Sequence, residues 1–92
     1  MLFKQKLLES IEPQRSFLVT TSESKFMLYW VDDVFYARKT TGLDNRYALV
    51  MTLNGKKWYK EKDLDIGAEF EYVHPRLGRI VSGGRVHHIT IR

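Results

Sequence analysis

The sequence contains no cysteine and no long apolar run. Without cysteine, neither disulfide bridges nor thiolate zinc sites can form, and a reducing compartment is the simpler expectation. No apolar stretch approaches the roughly 20 residues that a bilayer-spanning helix needs. The opening residues 1–13 also lack the apolar core and small-residue cleavage site of a secretory signal. We therefore expect a soluble cytoplasmic protein that does not associate with membranes.

Acidic residues are missing from the carboxy-terminal end. Residues 1–73 hold equal numbers of basic and acidic side chains, whereas residues 74–92 hold no Asp or Glu. The formal net charge of +4 therefore belongs entirely to that last segment, which also carries all three histidines. Its cationic and imidazole side chains are Arg76, Arg79, Arg85, Arg92, His74, His87 and His88. Such an asymmetry bears on which partners the protein attracts and predicts an anionic one.

The length of 92 residues allows one domain, 1–92, with a single core. The first part of the chain, residues 1–12, places its apolar residues on one stripe of a 3.6-residue period, which predicts a short helix ended by Pro13. The residues of this stripe are Leu2, Phe3, Leu7, Leu8 and Ile11. From residue 16 to residue 92 the pattern changes to short strands rich in β-branched and aromatic residues.

Eight segments have strand character, and tight turns join most of them. The segments are SFLVTT, KFMLYWV, VFYARKT, RYALVMTL, KKWYK, AEFEYV, GRIVS and RVHHITI. The turn signals are Asp32-Asp33, Asn54-Gly55 and Gly83-Gly84, of which Asn-Gly is the strongest. The stretch EKDLDIG predicts a polar turn with at most one helical turn. We expect a mainly β (α+β) fold: the helix plus about seven or eight short antiparallel strands in a small SH3-like or OB-like barrel or a two-layer sheet.

The last two segments are predicted to form a hairpin around Gly83-Gly84. Alternation in RVHHITI makes Ile89 and Ile91 the core candidates and turns Val86, His88, Thr90 and Arg92 toward solvent, unless a bulge shifts the register. Together with Arg76, Arg79 and Arg85, this surface suits phosphate oxygens, because guanidinium groups offer a fork of donors. The alternative is a solvated edge strand, whose charges prevent edge-to-edge pairing.

A second patch lies in NGKKWYKEK, where aromatic residues alternate with lysines. Alternation places Trp58 opposite its neighbours, and we expect Trp58 to be buried and Tyr59 to be exposed beside Lys57 and Lys60. Exposed rings among lysines are typical of proteins that bind single-stranded nucleic acid, where bases stack and ammonium groups contact phosphates. The alternative is an ordinary hairpin arm with a core tryptophan, and the acidic residues just beyond weaken the local field.

Three enzymatic or metal-dependent readings have less support. His87 and His88 are adjacent on a strand, so their side chains are expected on opposite faces, and we predict no metal site and no cofactor. A small ribonuclease would need a base, an acid and a cation, which His74 or His88, Glu69 or Glu71, and Arg79 or Arg85 could supply. No spacing is diagnostic of that set. The glycines open no helix, which excludes a phosphate-binding loop of that type.

The sequence therefore predicts a non-enzymatic domain that binds the backbone of RNA or single-stranded DNA. The predicted contact residues are Arg76, Arg79, Arg85, His88 and Arg92, extended by Lys57, Tyr59 and Lys60. The main alternative is a protein-binding module or small inhibitor, of the kind encoded by phages and mobile elements, that docks on an acidic partner protein. A ribonuclease is the third option.

Overall fold

The protein is described by a computed structural model that covers residues 15–41 and 46–92. Six antiparallel strands close into a barrel in the order β1 to β6, with β6 returning to pair with β1. The strands are β1 (Arg15–Thr21), β2 (Lys25–Val31), β3 (Val34–Lys39), β4 (Ala48–Leu53), β5 (Glu69–Val73) and β6 (Ile80–Ile91). The predicted small β barrel is confirmed. The helix predicted for residues 1–12 lies outside the described residues.

Alternate side chains of each strand fill the barrel with a largely aromatic core. Phe26 lies edge-on to Phe70 with ring centroids 5.2 Å apart, and Trp30 lies edge-on to Phe35 at 4.7 Å. Phe35 and Val19 have no measurable exposure. The other core residues of the strands are Phe17, Leu28, Ala37, Ala48, Val50, Leu53, Tyr72 and Val86. A core of this kind uses few residues, since each ring buries a large area.

Two of the predicted tight turns are present, and both have positive φ angles, which residues other than glycine seldom adopt. Asn54 and Gly55 have φ of 55° and 74°, and Leu53 and Lys56 exchange backbone hydrogen bonds of 3.0 Å across them. Asp32 and Asp33 join β2 to β3 with φ of 49° and 64°. Positive φ at both central positions is the requirement of a type I′ turn, which aspartate tolerates better than most residues.

The strand predicted at KKWYK is not formed. Lys56 makes a single bridge to Leu53, and the chain then leaves the sheet. A short 3-10 turn follows at Glu61–Asp63, as the polar composition indicates, and the backbone N–H of Lys60 donates to Asp63 Oδ2 at 2.7 Å. Since β4 and β5 are paired antiparallel neighbours, residues 54–68 form a long loop that connects them.

The hairpin predicted at Gly83-Gly84 is wrong, because both glycines lie inside one bent strand, β6. Gly84 pairs with Phe70 and Ser82 pairs with Glu71, so Gly83 is the extra residue of a bulge. The part of β6 from Ile80 to Arg85 pairs with β5, and the part from Val86 to Ile91 pairs with β1. A Cβ on Gly83 would overlap the ring of Phe70, which packs against its backbone. The glycine pair therefore bends the strand around the barrel, and six strands result where eight segments were expected.

Replacing Gly83 with Ala should destabilise the fold more than replacing Gly55 with Ala. The Gly83→Ala methyl group must displace the buried Phe70 ring, an overpacking that costs about 3 kcal/mol of unfolding free energy. At Gly55 no atom lies within 4 Å, so Gly55→Ala costs only the strain of positive φ, about 1 kcal/mol. Urea denaturation of both variants measures the difference. Equal losses of unfolding free energy in the two variants would show that the close packing of Phe70 on Gly83 does not restrict residue 83 to glycine.

Candidate functional site

The connection between β4 and β5 places Trp58 and Tyr59 in the reverse of the predicted arrangement. Trp58 is 92% exposed, and Tyr59 is the residue packed against the core. The Tyr59 hydroxyl donates a 2.6 Å hydrogen bond to the carbonyl of Val50, and its ring stacks on Phe35 at 6.0 Å and 19°. Alternation shows that one of two adjacent aromatic residues points inward but not which one. The prediction of Tyr59 as an exposed platform is therefore wrong.

The phenol ring of Tyr59 packs against the core, and its half-buried hydroxyl is satisfied by the hydrogen bond to Val50. Burial raises the pKa of Tyr59 from 10.0 to about 12, since the charged phenolate would lose its hydration. Trp30, which packs on Phe35, lies on the same side of the Tyr59 ring, and the centroids of Trp30 and Tyr59 are 6.5 Å apart. The connection is thus anchored by Tyr59, and the neighbouring indole is held in solvent.

Exposed lysines surround Trp58 along the same connection. We call these residues the Trp58 surface: Lys56, Lys57, Trp58, Lys60 and Lys62. The nearby acidic residues each have a structural contact. Glu61 Oε2 lies 3.5 Å from Arg15 Nε, Asp63 accepts the Lys60 N–H, and Asp65 Oδ1 accepts the N–H of Ile66 at 2.7 Å. Asp63 and Asp65 therefore accept local hydrogen bonds and Glu61 faces Arg15, while the lysines are exposed together with the indole.

A shallow apolar groove of about 310 Å³ runs beside Trp58. Most of its lining is apolar or aromatic, and the charged members are Asp33 and Lys57; the other lining residues are Val34, Leu49, Val50, Met51, Trp58 and Tyr59. Leu49 and Met51 lie on the outer face of β4 and are half-buried, because Ala48 and Val50 take the inner positions. The groove thus continues the aromatic platform with an apolar strip.

The arginines predicted to form one contact surface are distributed along β6. Arg76 and Arg79 lie in the turn that joins β5 to β6, Arg85 lies at the bend, and Arg92 follows the last residue of the strand. Arg79 and Arg92 therefore stand beyond opposite ends of a 12-residue strand. Lys57 and Lys60 belong to a different connection. The predicted residues are on the surface, but the fold does not gather the arginines at one point.

Arg85 has an acidic neighbour across the sheet. Its Nη2 lies 3.4 Å from Glu69 Oε1, in the pair Glu69–Arg85 of the β5–β6 ladder. Both side chains are 60% exposed, so the ion pair contributes little stability, about 0–1 kcal/mol. The absence of acids within residues 74–92 does not exclude a partner from another strand. The charge excess of residues 74–92 is therefore partly offset at Arg85 in the folded chain.

His87 and His88 lie at a second bulge in β6. Val86 pairs with Thr21 and His88 with Thr20, so His87 is an extra residue and both histidines are exposed. Val86 is buried, whereas Ile91 is 64% exposed, which reverses the faces predicted for these two residues. His74 lies after β5, away from this pair in the chain. Within residues 15–41 and 46–92 no group of three or more His, Asp or Glu could hold a metal ion.

The residues proposed for ribonuclease chemistry have other contacts. Glu69 pairs with Arg85, and Glu71 Oε1 accepts a 2.9 Å hydrogen bond from the Thr52 hydroxyl. His88 belongs to the half of β6 that pairs with β1, whereas Glu71 faces the other half. Within this set, the side chains of Glu69 and Arg85 are in contact, and the backbone N–H of His74 donates to the carbonyl of Arg79 at 2.8 Å.

In the part of the chain that the structure covers, no helix is long and apolar enough to cross a membrane.

Tyr59→Phe should reduce the loss of stability at alkaline pH. The folded pKa of about 12 lies above the unfolded value of 10.0, so this group's contribution is complete below pH 10 and is lost as pH rises toward 12. The variant loses the hydrogen bond to Val50, about 1 kcal/mol at neutral pH, but its unfolding free energy should fall less between pH 10 and pH 12. Urea titrations across that range test this. Identical pH profiles would contradict the buried-phenol assignment.

Comparison with known proteins adds no further constraint on this site. No protein-family model, curated protein sequence or solved structure matches the chain. The function must therefore be argued from the barrel and its surfaces alone.

Proposed function

We propose that this protein binds single-stranded nucleic acid, RNA or DNA, through the Trp58 surface. The observation that carries the proposal is an indole that is 92% exposed on an anchored connection and has lysines on both sides in the sequence. The indole adjoins the apolar groove, and a contiguous exposed apolar patch of this kind is typical of contact sites, where tryptophan is enriched. A base can stack on the indole, and the ammonium groups of Lys57 and Lys60 can contact the flanking phosphates.

The energetics favour a sequence-tolerant interaction. Stacking of one base on an aromatic ring contributes about 1–3 kcal/mol and needs no base-specific hydrogen bond, since every base has a π face. Each phosphate neutralised on a single strand adds roughly 0.7 to the slope of log affinity against log salt. A platform anchored by Tyr59 loses little freedom on binding, which preserves more of the stacking energy.

The arginines of β6 extend this proposal as a secondary contact. Arg79, Arg85 and Arg92, with His88 between them, lie along one strand and can follow the backbone of a longer oligonucleotide. Their separation along β6 supports several weak phosphate contacts more readily than one strong site. Lys57 and Lys60 contribute near the stacked base, whereas Tyr59 contributes by holding the connection in place.

Substitutions on the Trp58 surface should weaken binding to a labelled oligothymidylate of about ten nucleotides, a length within the usual site size. Trp58→Ala should reduce affinity roughly 5- to 100-fold, and Trp58→Phe should retain part of it, because a smaller ring still stacks. Lys57→Ala with Lys60→Ala should lower the salt slope by about 1.4, one increment for each lost phosphate contact. Fluorescence anisotropy at several salt concentrations provides both values.

Two control variants locate the binding surface. Lys25 is an exposed residue at the start of β2, whereas the groove lies near the β2–β3 turn at the other end of that strand. Lys25→Ala therefore removes a charge far from the groove and should leave the affinity unchanged. The double variant Arg79→Ala/Arg85→Ala should reduce the affinity for a long oligonucleotide more than the affinity for a short one. If Trp58→Ala binds as wild type while the double arginine variant does not bind, the Trp58 surface is not the site. All these positions are exposed, so stability should change by no more than about 0.5 kcal/mol.

The groove beside Trp58 favours a second candidate, a protein-binding module. Val34, Leu49 and Met51 provide an apolar strip next to the indole, and methionine and tryptophan are enriched at protein interfaces. Met51→Lys separates the two functions: it adds a cation, which nucleic-acid binding tolerates, but it places a charge in an apolar interface. A purified protein partner that binds wild type after nuclease treatment, and not the Met51→Lys variant, would support this candidate over the first.

A further inference from the structure

A second pocket, of about 370 Å³, opens where the β1–β2 turn, the ends of β3 and β4 and the β5–β6 turn meet. Its floor is formed by four core residues, Phe26, Ala37, Ala48 and Tyr72. It shares no lining residue with the groove beside Trp58. Its volume falls in the range of small-molecule sites, about 300–1,000 Å³.

Two paired alanines create the space. Ala37 and Ala48 are direct partners in the β3–β4 ladder, and both side chains point into the barrel. Side chains that end at Cβ leave a depression between the larger residues, here Phe26 and Tyr72, whose ring centroids are 5.7 Å apart. The floor is therefore apolar and partly aromatic, and it is rigid because strands supply all of it.

The rim is cationic. Lys39, Arg46 and Arg76 line the pocket together with His74, and no Asp or Glu is among its lining residues within the described ranges. Arg46 and Arg76 each have an interaction within the chain. Arg46 and Arg76 therefore contribute positive charge at the rim, and Lys39 and His74 supply the direct contacts. A partly aromatic floor below a positive rim fits a ligand with a flat aromatic body and an anionic head.

Hydrogen bonds to the backbone of the β5–β6 turn determine which ring nitrogen of His74 carries the proton in the neutral form. Its Nδ1 accepts hydrogen bonds from the backbone N–H groups of Arg76 and Leu77, each at 3.1 Å. A ring nitrogen that accepts carries no proton, so the proton of the neutral ring resides on Nε2. The β5–β6 turn thus fixes the tautomer and presents an N–H donor at the rim of the pocket.

We propose that this pocket binds a phosphate monoester on a flat aromatic body, as in a nucleoside 5′-monophosphate, either free or at the 5′ end of a nucleic-acid strand. The phosphate lies at the rim, where Lys39 and the Nε2–H of His74 contact its oxygens. The body lies on the floor over the two alanines. A phosphate monoester suits this rim better than a carboxylate, because it carries about −1.5 to −2 charges at neutral pH and offers three acceptor oxygens.

The test uses uridine 5′-monophosphate as the probe, with uridine and inorganic phosphate as its two halves. NMR titrations should shift the resonances of His74, Ala37 and Ala48, and the nucleotide should bind roughly tenfold or more tightly than either half, because head and body then act together. Equal affinity for the three probes, no binding at millimolar concentration, or shifts confined to the Trp58 surface would each overturn the proposal.

Two variants and one matched control test the contact residues. His74→Asn keeps an acceptor for the N–H groups of Arg76 and Leu77, since asparagine forms the same local turn, but it lacks the Nε2 donor. It should weaken nucleotide binding roughly tenfold with an unchanged melting temperature, and Lys39→Ala should have a similar effect. Lys25→Ala removes the same charge from an exposed residue that lines neither this pocket nor the groove beside Trp58, and it should leave nucleotide affinity unchanged. Equal effects of Lys39→Ala and Lys25→Ala would overturn the assignment.

The two sources of the phosphate are separated with oligonucleotides in the Trp58→Ala variant, where the other surface is weakened. Tighter binding of a 5′-phosphorylated strand than of the same strand with a 5′-hydroxyl supports strand-end recognition. Equal binding of the two strands, with the nucleotide still bound, supports a free nucleotide. Because the pocket and the Trp58 surface are tested by different variants, failure of either proposal leaves the other standing.

Discussion

Closure of the barrel depends on the contact between the Phe70 ring and the backbone of Gly83. The strand β6 must leave β5 and reach β1, and it bends where the ring occupies the space that a side chain would need. The same ring lies 5.2 Å from Phe26, so the bend is tied to the centre of the core. The Thr21 hydroxyl donates a 2.6 Å hydrogen bond to the Gly83 carbonyl and fastens β1 to the bend. Sheet closure, core packing and the β1–β2 turn therefore meet at one glycine.

The two candidate binding regions differ in the side chains that fill the barrel beside them. Near the β2–β3 turn a long connection supplies Tyr59, whose ring covers Phe35 and whose neighbour Trp58 then has no room inside. Near the β5–β6 turn the strands supply two alanines in place of large residues, and space remains above them. One region thus presents a ring to the solvent, whereas the other leaves a cavity. Both proposals follow from the positions of the large aromatic rings in the small core, because a ring fills the space beside one region and no ring fills it at the other.

Much of the architecture could be predicted from local patterns, because turns and alternation are local properties. Asn54-Gly55 and the alternating segments from β1 to β5 indicate a meander that closes into a small barrel. The candidate site was less predictable. The choice between Trp58 and Tyr59 depends on the carbonyl of Val50, the role of Gly83 depends on Phe70, and the neutralisation of Arg85 depends on Glu69. Each of these partners is distant in sequence, and only the folded chain brings it near.

The contrast between the two tryptophans gives the protein an internal pair of optical reporters. Trp30 is 9% exposed among aromatic rings, whereas Trp58 is 92% exposed among lysines. Emission from the indole in water is red-shifted relative to that from the buried one, and iodide, attracted by the ammonium groups, reaches the exposed ring first. Changes in the blue component follow the integrity of the barrel interior, and changes in the quenchable component follow events on the outside. A single unlabelled sample can therefore distinguish unfolding from ligand association.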